Sequence, residues 1–186
     1  MVLIGILIIG CTDTKYKAPD KVESKANIVA EPQPAPAPQQ TKPAPSIVKT
    51  FKVGETATDN ELKITLNNVR FVSKIDEQNN EYVSAEAPNG TQFAIVDITI
   101  ENILPDKTQS ISTILLTTIN DQDGYNYDVD LMPTIALAKQ FKDGEILPAM
   151  KKRGELAYSV PTSATDLKFI YKFDLVTGTS AVFDIK

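Results

Sequence analysis

Residues 93–102 read FAIVDITIEN, and apolar and polar side chains alternate through most of this stretch. Such alternation is typical of a β-strand with one buried and one exposed face, because successive side chains point to opposite faces. The apolar face consists of Ala94, Val96, Ile98 and Ile100, and the polar face of Asp97, Thr99 and Glu101. The segment therefore predicts one strand of a layered β domain.

The same period of two recurs along the rest of the chain from residue 50. Leu62, Ile64 and Leu66 alternate with polar residues, and the parity then changes at Val69 and Phe71, which predicts a β-bulge at Asn67-Asn68. Further strands are predicted at residues 112–119, 125–129, 156–160, 167–173 and 181–185, and only 134–141 looks helical. About eight short strands without internal repeats predict an all-β domain over residues 50–186, an immunoglobulin-like antiparallel β-sandwich with a barrel as the alternative.

Several short motifs in this region carry a family resemblance. They are Val53-Gly54-Glu55, LKITLNNV at 62–69, FAIVDITIEN at 93–102, DQDGYNY at 121–127, Leu147-Pro148, and RGELAYSVP at 153–161. In this order they resemble an uncharacterised prokaryotic lipoprotein domain family, a domain of unknown function that is similar to a mycobacterial secreted immunogenic antigen. The resemblance implies an immunoglobulin-like sandwich and assigns no catalytic residues. The sequence departs from the pattern at Ala149, where a turn glycine usually follows Leu147-Pro148.

The N-terminus carries a short apolar segment. Residues 2–9 are aliphatic except for Gly5, and eight helical residues would cover only about 12 Å of a bilayer core roughly 30 Å thick. We therefore expect residues 1–10 to be a signal peptide; since no basic residue precedes the apolar run, translation could start upstream of Met1. The sequence Ile8-Ile9-Gly10-Cys11 resembles a prokaryotic lipobox, whose cysteine receives a diacylglycerol. The alternative is a free buried cysteine, and we take Cys11 as the site of lipidation.

Residues 11–49 have the composition of a linker. Seven of the chain's twelve prolines and a single aromatic residue, Tyr16, lie between residues 12 and 49, so little apolar surface is available for a core. We expect this stretch, lipidated at Cys11, to be a disordered Pro-rich tether that holds the domain at the cell membrane on its extracytoplasmic side.

The composition excludes several functions. The chain has no His, no Trp and one Cys, which rules out His-based triads, His-ligated zinc and internal disulfides. A net charge of −5 gives no general case for nucleic-acid binding. We expect no enzyme but a non-catalytic binding or interaction module, with the membrane and an unknown envelope protein or polymer as partners.

Two polar segments are candidate sites. Asp121, Asp123, Asp128 and Asp130 surround Gly124 and are candidate ligands of calcium, which prefers several carboxylate oxygens from one loop. A cation- or small-ligand-binding lipoprotein that uses residues 121–130 is therefore the alternative function, although Ile119 occupies the first ligand position of an EF-hand loop. An Asp-Gly hairpin turn with solvated acids explains the same residues and is preferred. Asn89-Gly90-Thr91 is a sequon that makes Asn89 a possible glycosylation site.

Overall fold

The structure is a computed structural model, and it describes residues 49–77 and 83–186. The predicted signal peptide at 1–10, the lipidated Cys11 and the tether up to residue 48 lie outside the described residues. No helix in the described part of the chain is long and apolar enough to cross a bilayer.

Two main sheets form the domain. The strands are β1 Thr50–Lys52, β2 Thr56–Thr58, β3 Leu62–Val72, β4 Lys74–Ile75, β5 Ala85–Glu86, β6 Thr91–Asn102, β7 Gln109–Ile111, β8 Thr117–Asn120, β9 Asn126–Tyr127, β10 Gly144–Ile146, β11 Lys151–Pro161, β12 Lys168–Lys172 and β13 Ser180–Asp184. One sheet has the order β1-β13-β12-β8-β9 and the other the order β11-β6-β3-β2, with two further pairs, β7–β10 and β4–β5. The pairing is antiparallel except between β1 and β13, which run parallel. The prediction of a β-sandwich is confirmed.

The main core lies between the apolar sides of the two sheets. Ala94, Val96, Ile98 and Ile100 of β6 are all fully buried, which confirms the predicted parity of that strand. They belong to one cluster with Phe169 and Phe183 of the facing sheet. The pairing of β3 with β6 shifts between Leu66 and Asn68, so the predicted bulge is confirmed as well.

The outer side of β6 is only partly polar. Phe93 and Ile95 are buried there by a second, smaller cluster that includes Ala136 and Leu137. This covering layer comes from helix α2, Leu131–Ala136, and from the β4–β5 pair. The alternation of apolar and polar residues in β6 could not reveal this covering layer. The strand is buried on both faces only at its N-terminal end, and its other end still alternates.

Two segments differ from the predictions. Residues 112–119 are not one strand, because helix α1, Thr113–Leu116, precedes β8. The apolar run Ile114-Leu115-Leu116 does not alternate, which is incompatible with a half-buried strand. The predicted helix at 134–141 instead spans 131–136, and Pro133 fits its first turn, where the backbone N–H has no helical partner anyway.

The long edge strand β11 is covered by the chain around α2. Glu155 N donates to Lys139 O and Phe141 N donates to Glu155 O, both at 2.8 Å, and Asp130 N donates to Ala157 O at 2.8 Å. A further donor of this edge, Ala157 N, donates to Thr134 Oγ1 at 3.0 Å. Covering an edge in this way satisfies its backbone and prevents pairing with a foreign strand.

Candidate functional site

An exposed apolar cleft lies between the two short helices. Ile114 of α1 and Leu131 and Ile135 of α2 line one cavity of about 210 Å³. All three are large hydrophobic residues with more than 40% of their surface exposed, and the neighbouring Met132 is 70% exposed. Clustered exposed apolar side chains of this kind commonly mark an interaction site. We call this feature the α1–α2 cleft.

Hydrogen bonds fix the α1 side of the cleft. Thr113 N and Thr113 Oγ1 donate to the Asp143 carboxylate at 3.1 and 2.7 Å. Thr117 Oγ1 donates to Thr113 O at 2.6 Å, and it accepts from the buried Tyr158 hydroxyl at 2.7 Å. These bonds tie the short helix α1 to the sandwich core, so the exposure of Ile114 is imposed by the fold.

The base and rim of the cleft differ in chemistry. Phe141 and Leu156, both buried, form part of its lining, and Gln140, Lys142 and Asp143 add polar groups. An apolar base with a polar rim can accept an apolar side chain of a partner and orient it by hydrogen bonds. The arrangement suits binding rather than bond-breaking chemistry.

The candidate calcium-binding segment 121–130, which we call the acidic loop, begins with the turn between β8 and β9. Asp121 Oδ1 accepts hydrogen bonds from Asp123 N at 2.9 Å and Tyr125 N at 3.0 Å, and Asp121 Oδ2 accepts one from the Tyr127 hydroxyl at 2.7 Å. Gly124 has a φ of 84°, the left-handed conformation expected of an Asp-Gly turn. The Asp121 carboxylate therefore holds the turn together.

These contacts shift the ionisation of two groups. The hydrogen bond from Tyr127, followed by those from the backbone, lowers the pKa of Asp121 below its usual value. Partial burial, then the hydrogen bond to Asp121, raises the pKa of Tyr127 to about 12. The pair is thus most stable with a charged carboxylate and a neutral phenol.

The four acids of the loop do not come together. Asp130 lies at the start of α2, where Oδ2 accepts a hydrogen bond from Ser159 Oγ at 2.7 Å, whereas Asp123 and Asp128 are exposed. Among the described residues, no three acidic, His or Cys side chains are close enough to hold one metal ion. Calcium binding by residues 121–130 remains a hypothesis from the sequence.

The sequon lies on an exposed turn. Asn89 is solvent-exposed directly before β6, and Thr91 Oγ1 donates to Pro88 O at 2.7 Å. A transferase could reach this position. Glycosylation of Asn89 stays a prediction from the sequence.

A cluster of ion pairs lies on the outer side of the second sheet. Arg70 binds both oxygens of the largely buried Glu155 and also reaches Glu77, while Glu77 Oε2 accepts from Ala138 N at 3.0 Å. The bond to Glu155 is the main reason that the pKa of Arg70 is raised. Because these contacts connect β3, β11 and the chain after α2, the cluster holds the chain after α2 against the sheet.

The sequence did not predict the α1–α2 cleft. Residues 112–119 read as a strand, so Ile114 was assigned to a sheet, and Leu131 and Met132 lay outside the predicted helix. The signal that could have revealed the cleft is the pair of apolar runs Ile114–Leu116 and Leu131-Met132, which break the alternation that surrounds them.

Solved structures with a similar fold are bacterial β-sandwich proteins. An uncharacterised β-sandwich protein of Clostridium difficile matches 78% of this chain and 100% of its own, with a TM-score of 0.52 and 21% identity. The secreted protein MPT63 of Mycobacterium tuberculosis matches 74% of this chain and 97% of its own, with a TM-score of 0.53 and 13% identity. A candidate lipoprotein of Bacillus subtilis matches 70% of this chain but 38% of its own, with a TM-score of 0.51 and 11% identity. These likenesses concern the fold, and they confirm the resemblance to a mycobacterial secreted protein.

No curated protein matches the sequence. The model of DUF4352, a domain of unknown function, matches residues 51–182, which is most of the chain and almost all of its β region. No catalytic activity is attached to this family description or to the similar structures reported above. The match over residues 51–182 shows that the chain belongs to the DUF4352 family.

Proposed function

We propose that the protein is a non-catalytic, lipid-anchored interaction module of the cell envelope, and that its α1–α2 cleft receives an apolar segment of an envelope protein. The observation that carries the proposal is the exposure of Ile114, Leu131 and Ile135 around one cavity with an apolar base. Such a cleft is costly to leave in water unless a partner covers it, because apolar surface gains free energy on burial.

The rest of the fold favours this cleft over the sheet edges as a docking site. β1, β2 and β9 are edge strands of only two or three residues. The long edge β11 is covered at Glu155 and Ala157 by the chain around α2. Strand addition is therefore a less suitable way for a partner to bind, which leaves the side-chain surface of the helices.

The extracytoplasmic location is supported by the similarity in fold to a secreted protein and to a candidate lipoprotein. Lipidation of Cys11 is supported by the lipobox-like sequence before it. Two acyl chains on one cysteine would anchor the chain stably, whereas one chain anchors only marginally. Cys11→Ser, made with a complete signal region, should release the protein from membranes; persistence in the detergent phase with the wild type would contradict the anchor.

The cleft is tested by site-specific photo-crosslinking in intact cells. A photoreactive amino acid replaces Ile135 in the cleft, and the matched control carries it at Leu147, which is also exposed but lies in the β10–β11 turn. We expect a discrete crosslinked envelope protein from position 135 and none from position 147. Identical crosslinking from both positions would mean that the cleft is not the docking surface.

A further inference from the structure

The loop between β12 and β13 presents two large apolar side chains to solvent. Val176 is 94% exposed, the highest value among the large hydrophobic residues that the structure describes, and Leu175 beside it is 56% exposed. These two side chains, which we call the hairpin tip, are separate from the α1–α2 cleft. Burying both in apolar surroundings would be favourable, because each loses a large contact with water.

The tip is held in place by its own hydrogen bonds. Asp174 Oδ1 accepts from Val176 N at 2.7 Å, and Asp174 Oδ2 accepts from Thr177 Oγ1 at 2.9 Å. Gly178 N donates to Asp174 O at 3.1 Å and closes the turn. With the Asp174 carboxylate occupied inside the loop, Leu175 and Val176 project outward from a defined turn.

The described chain begins at the same end of the sandwich. β1 pairs in parallel with β13, and Thr50 lies opposite Val182, only a few residues after the tip. Lys49 Nζ lies 4.9 Å from the centre of the Phe51 ring, and Lys172 ends β12 directly before the loop. Lys172 therefore adds a positive charge at the start of the loop, and Lys49 adds one where β1 begins beside β13.

The acids beside the loop are already engaged within the domain. Asp59 Oδ1 accepts from the backbone N–H groups of Glu61 and Leu62, at 2.8 and 2.7 Å. Glu61 is paired with Lys107 at 3.3 Å. Glu61 is thereby balanced by Lys107, and the charges of Asp59 and Asp174 are matched in number by those of Lys49 and Lys172. These six side chains together carry no net charge, so they do not repel anionic head groups from the tip.

We propose that Leu175 and Val176 insert into the surface of the membrane that holds the lipid anchor. This inference rests on the proposed anchoring at Cys11, which lies 38 residues before Lys49 in the sequence. The composition of this segment predicts a tether, and a flexible tether of that length would reach roughly 35 Å and keep the domain at a high effective concentration near the bilayer. Under that condition a contact of two apolar side chains, too weak to hold a free protein, is sufficient to orient the domain.

The test uses the absence of tryptophan from the chain. Val176→Trp in the full, lipidated protein places a single fluorescent reporter at the tip, and Met132→Trp on α2 is the matched control, because Met132 is also strongly exposed. Both proteins are reconstituted into vesicles of phosphatidylethanolamine and phosphatidylglycerol, with and without brominated acyl chains. We expect a blue shift and bromine quenching for Trp at position 176, and neither for Trp at position 132.

The two proposals fail in different ways. A protein that floats with the vesicles while Trp at position 176 is unquenched overturns the membrane contact and leaves the anchor intact. Equal quenching at 176 and 132 also overturns it, because the tip would then have no special role. A protein that neither floats nor shows quenching at 176 contradicts both proposals. A blue shift without bromine quenching would indicate that the tip contacts protein, such as a second copy, and would likewise overturn the lipid contact.

Discussion

Gly154 is the residue at which a single methyl group should do most damage to the proposed site. A Cβ at this position would lie 2.4 Å from Phe141 Cα and 2.6 Å from Phe141 N. These are backbone atoms, so no side chain can rotate away to relieve the clash. Gly154→Ala must therefore move the segment around Phe141 away from β11, which disturbs the base of the α1–α2 cleft.

The expected cost follows from these contacts. Overpacking against a fixed backbone costs about 1–3 kcal/mol. Displacing the segment also weakens the 2.8 Å bonds from Phe141 N to Glu155 O and from Glu155 N to Lys139 O, each contributing about 1 kcal/mol. We expect Gly154→Ala to lower the free energy of unfolding by about 2–4 kcal/mol and the melting temperature by roughly 10 °C.

The assay is thermal and urea unfolding of the full chain, together with hydrogen exchange at the amides of Phe141 and Glu155. Gly124→Ala is the matched control, because its added Cβ meets no atom within 4 Å and only its φ of 84° is unfavourable. That variant should cost about 1 kcal/mol and leave exchange at Phe141 unchanged. If Gly154→Ala costs no more than the control and both amides stay protected, the reasoning about close packing is wrong.

Four further outcomes are expected. Val96→Asp should unfold the domain or lower the free energy of unfolding in urea by several kcal/mol, because Val96 is fully buried. Asp97→Asn should lower it by about 1 kcal/mol or less, because the partner of Asp97, Arg153, is exposed. Equal effects of the two variants would contradict the assigned faces of β6. Ala149→Gly should raise stability by about 0.5–1 kcal/mol in the same assay, since Ala149 has a φ of 56°, and a loss would show that the turn tolerates alanine. Calcium up to several millimolar should not raise the melting temperature in a saturable way, because the Asp121 carboxylate already accepts three hydrogen bonds. A saturable rise that disappears in Asp121→Asn would support the cation-binding alternative. Stability should fall as the pH rises from about 10 towards 12, because burial raises the pKa of Tyr127, Tyr158 and Tyr171, and these shifts stabilise the fold only while the phenols are protonated. Tyr127→Phe should remove only the share of the loss that is due to Tyr127, and identical pH profiles of this variant and the wild type would contradict that assignment.

The sequence was sufficient to predict β6 and β3 because one physical signal, the alternation of apolar and polar side chains, determines their buried faces. The alternation through residues 93–102 assigned the buried face of β6 correctly, and the parity change after Leu66 located the bulge. The departure at Ala149 was also informative, since the structure gives this residue a positive φ at the position where a type II turn prefers glycine. These features are local, so the neighbouring residues alone determine them.

The features that were missed depend on tertiary contacts. Asn102 ends a polar-looking stretch but is fully buried, because its Nδ2 donates to Lys107 O and Ile146 O at 2.7 and 3.0 Å. Helix α1 has four residues, and its Thr113 is held by the hydrogen bonds that it donates to Asp143, thirty residues away. A helix this short has little stability of its own, so no window of sequence could have predicted it.

The covering of β11 shows the same limit. Gly154 belongs to the motif RGELAYSVP, yet the reason for a small residue there is the backbone of Phe141, which only the fold brings near. The α1–α2 cleft follows from this packing, because the segment that covers β11 also supplies its base. Candidate acids in the loop were easier to find, but proximity in sequence did not bring them to one point.

The most direct test of the proposed binding role compares the proteins that copurify with the native, membrane-anchored form and with two paired variants. Leu131→Asp/Ile135→Asp places charges in the cleft, and Leu147→Asp/Met150→Asp places them at another exposed apolar site; all four residues are exposed, so both variants should fold. We predict that one envelope protein copurifies in fixed proportion with the wild type and the control variant, and that the cleft variant loses it. Retention of the same partner by the cleft variant, with folding verified by circular dichroism, would contradict the account.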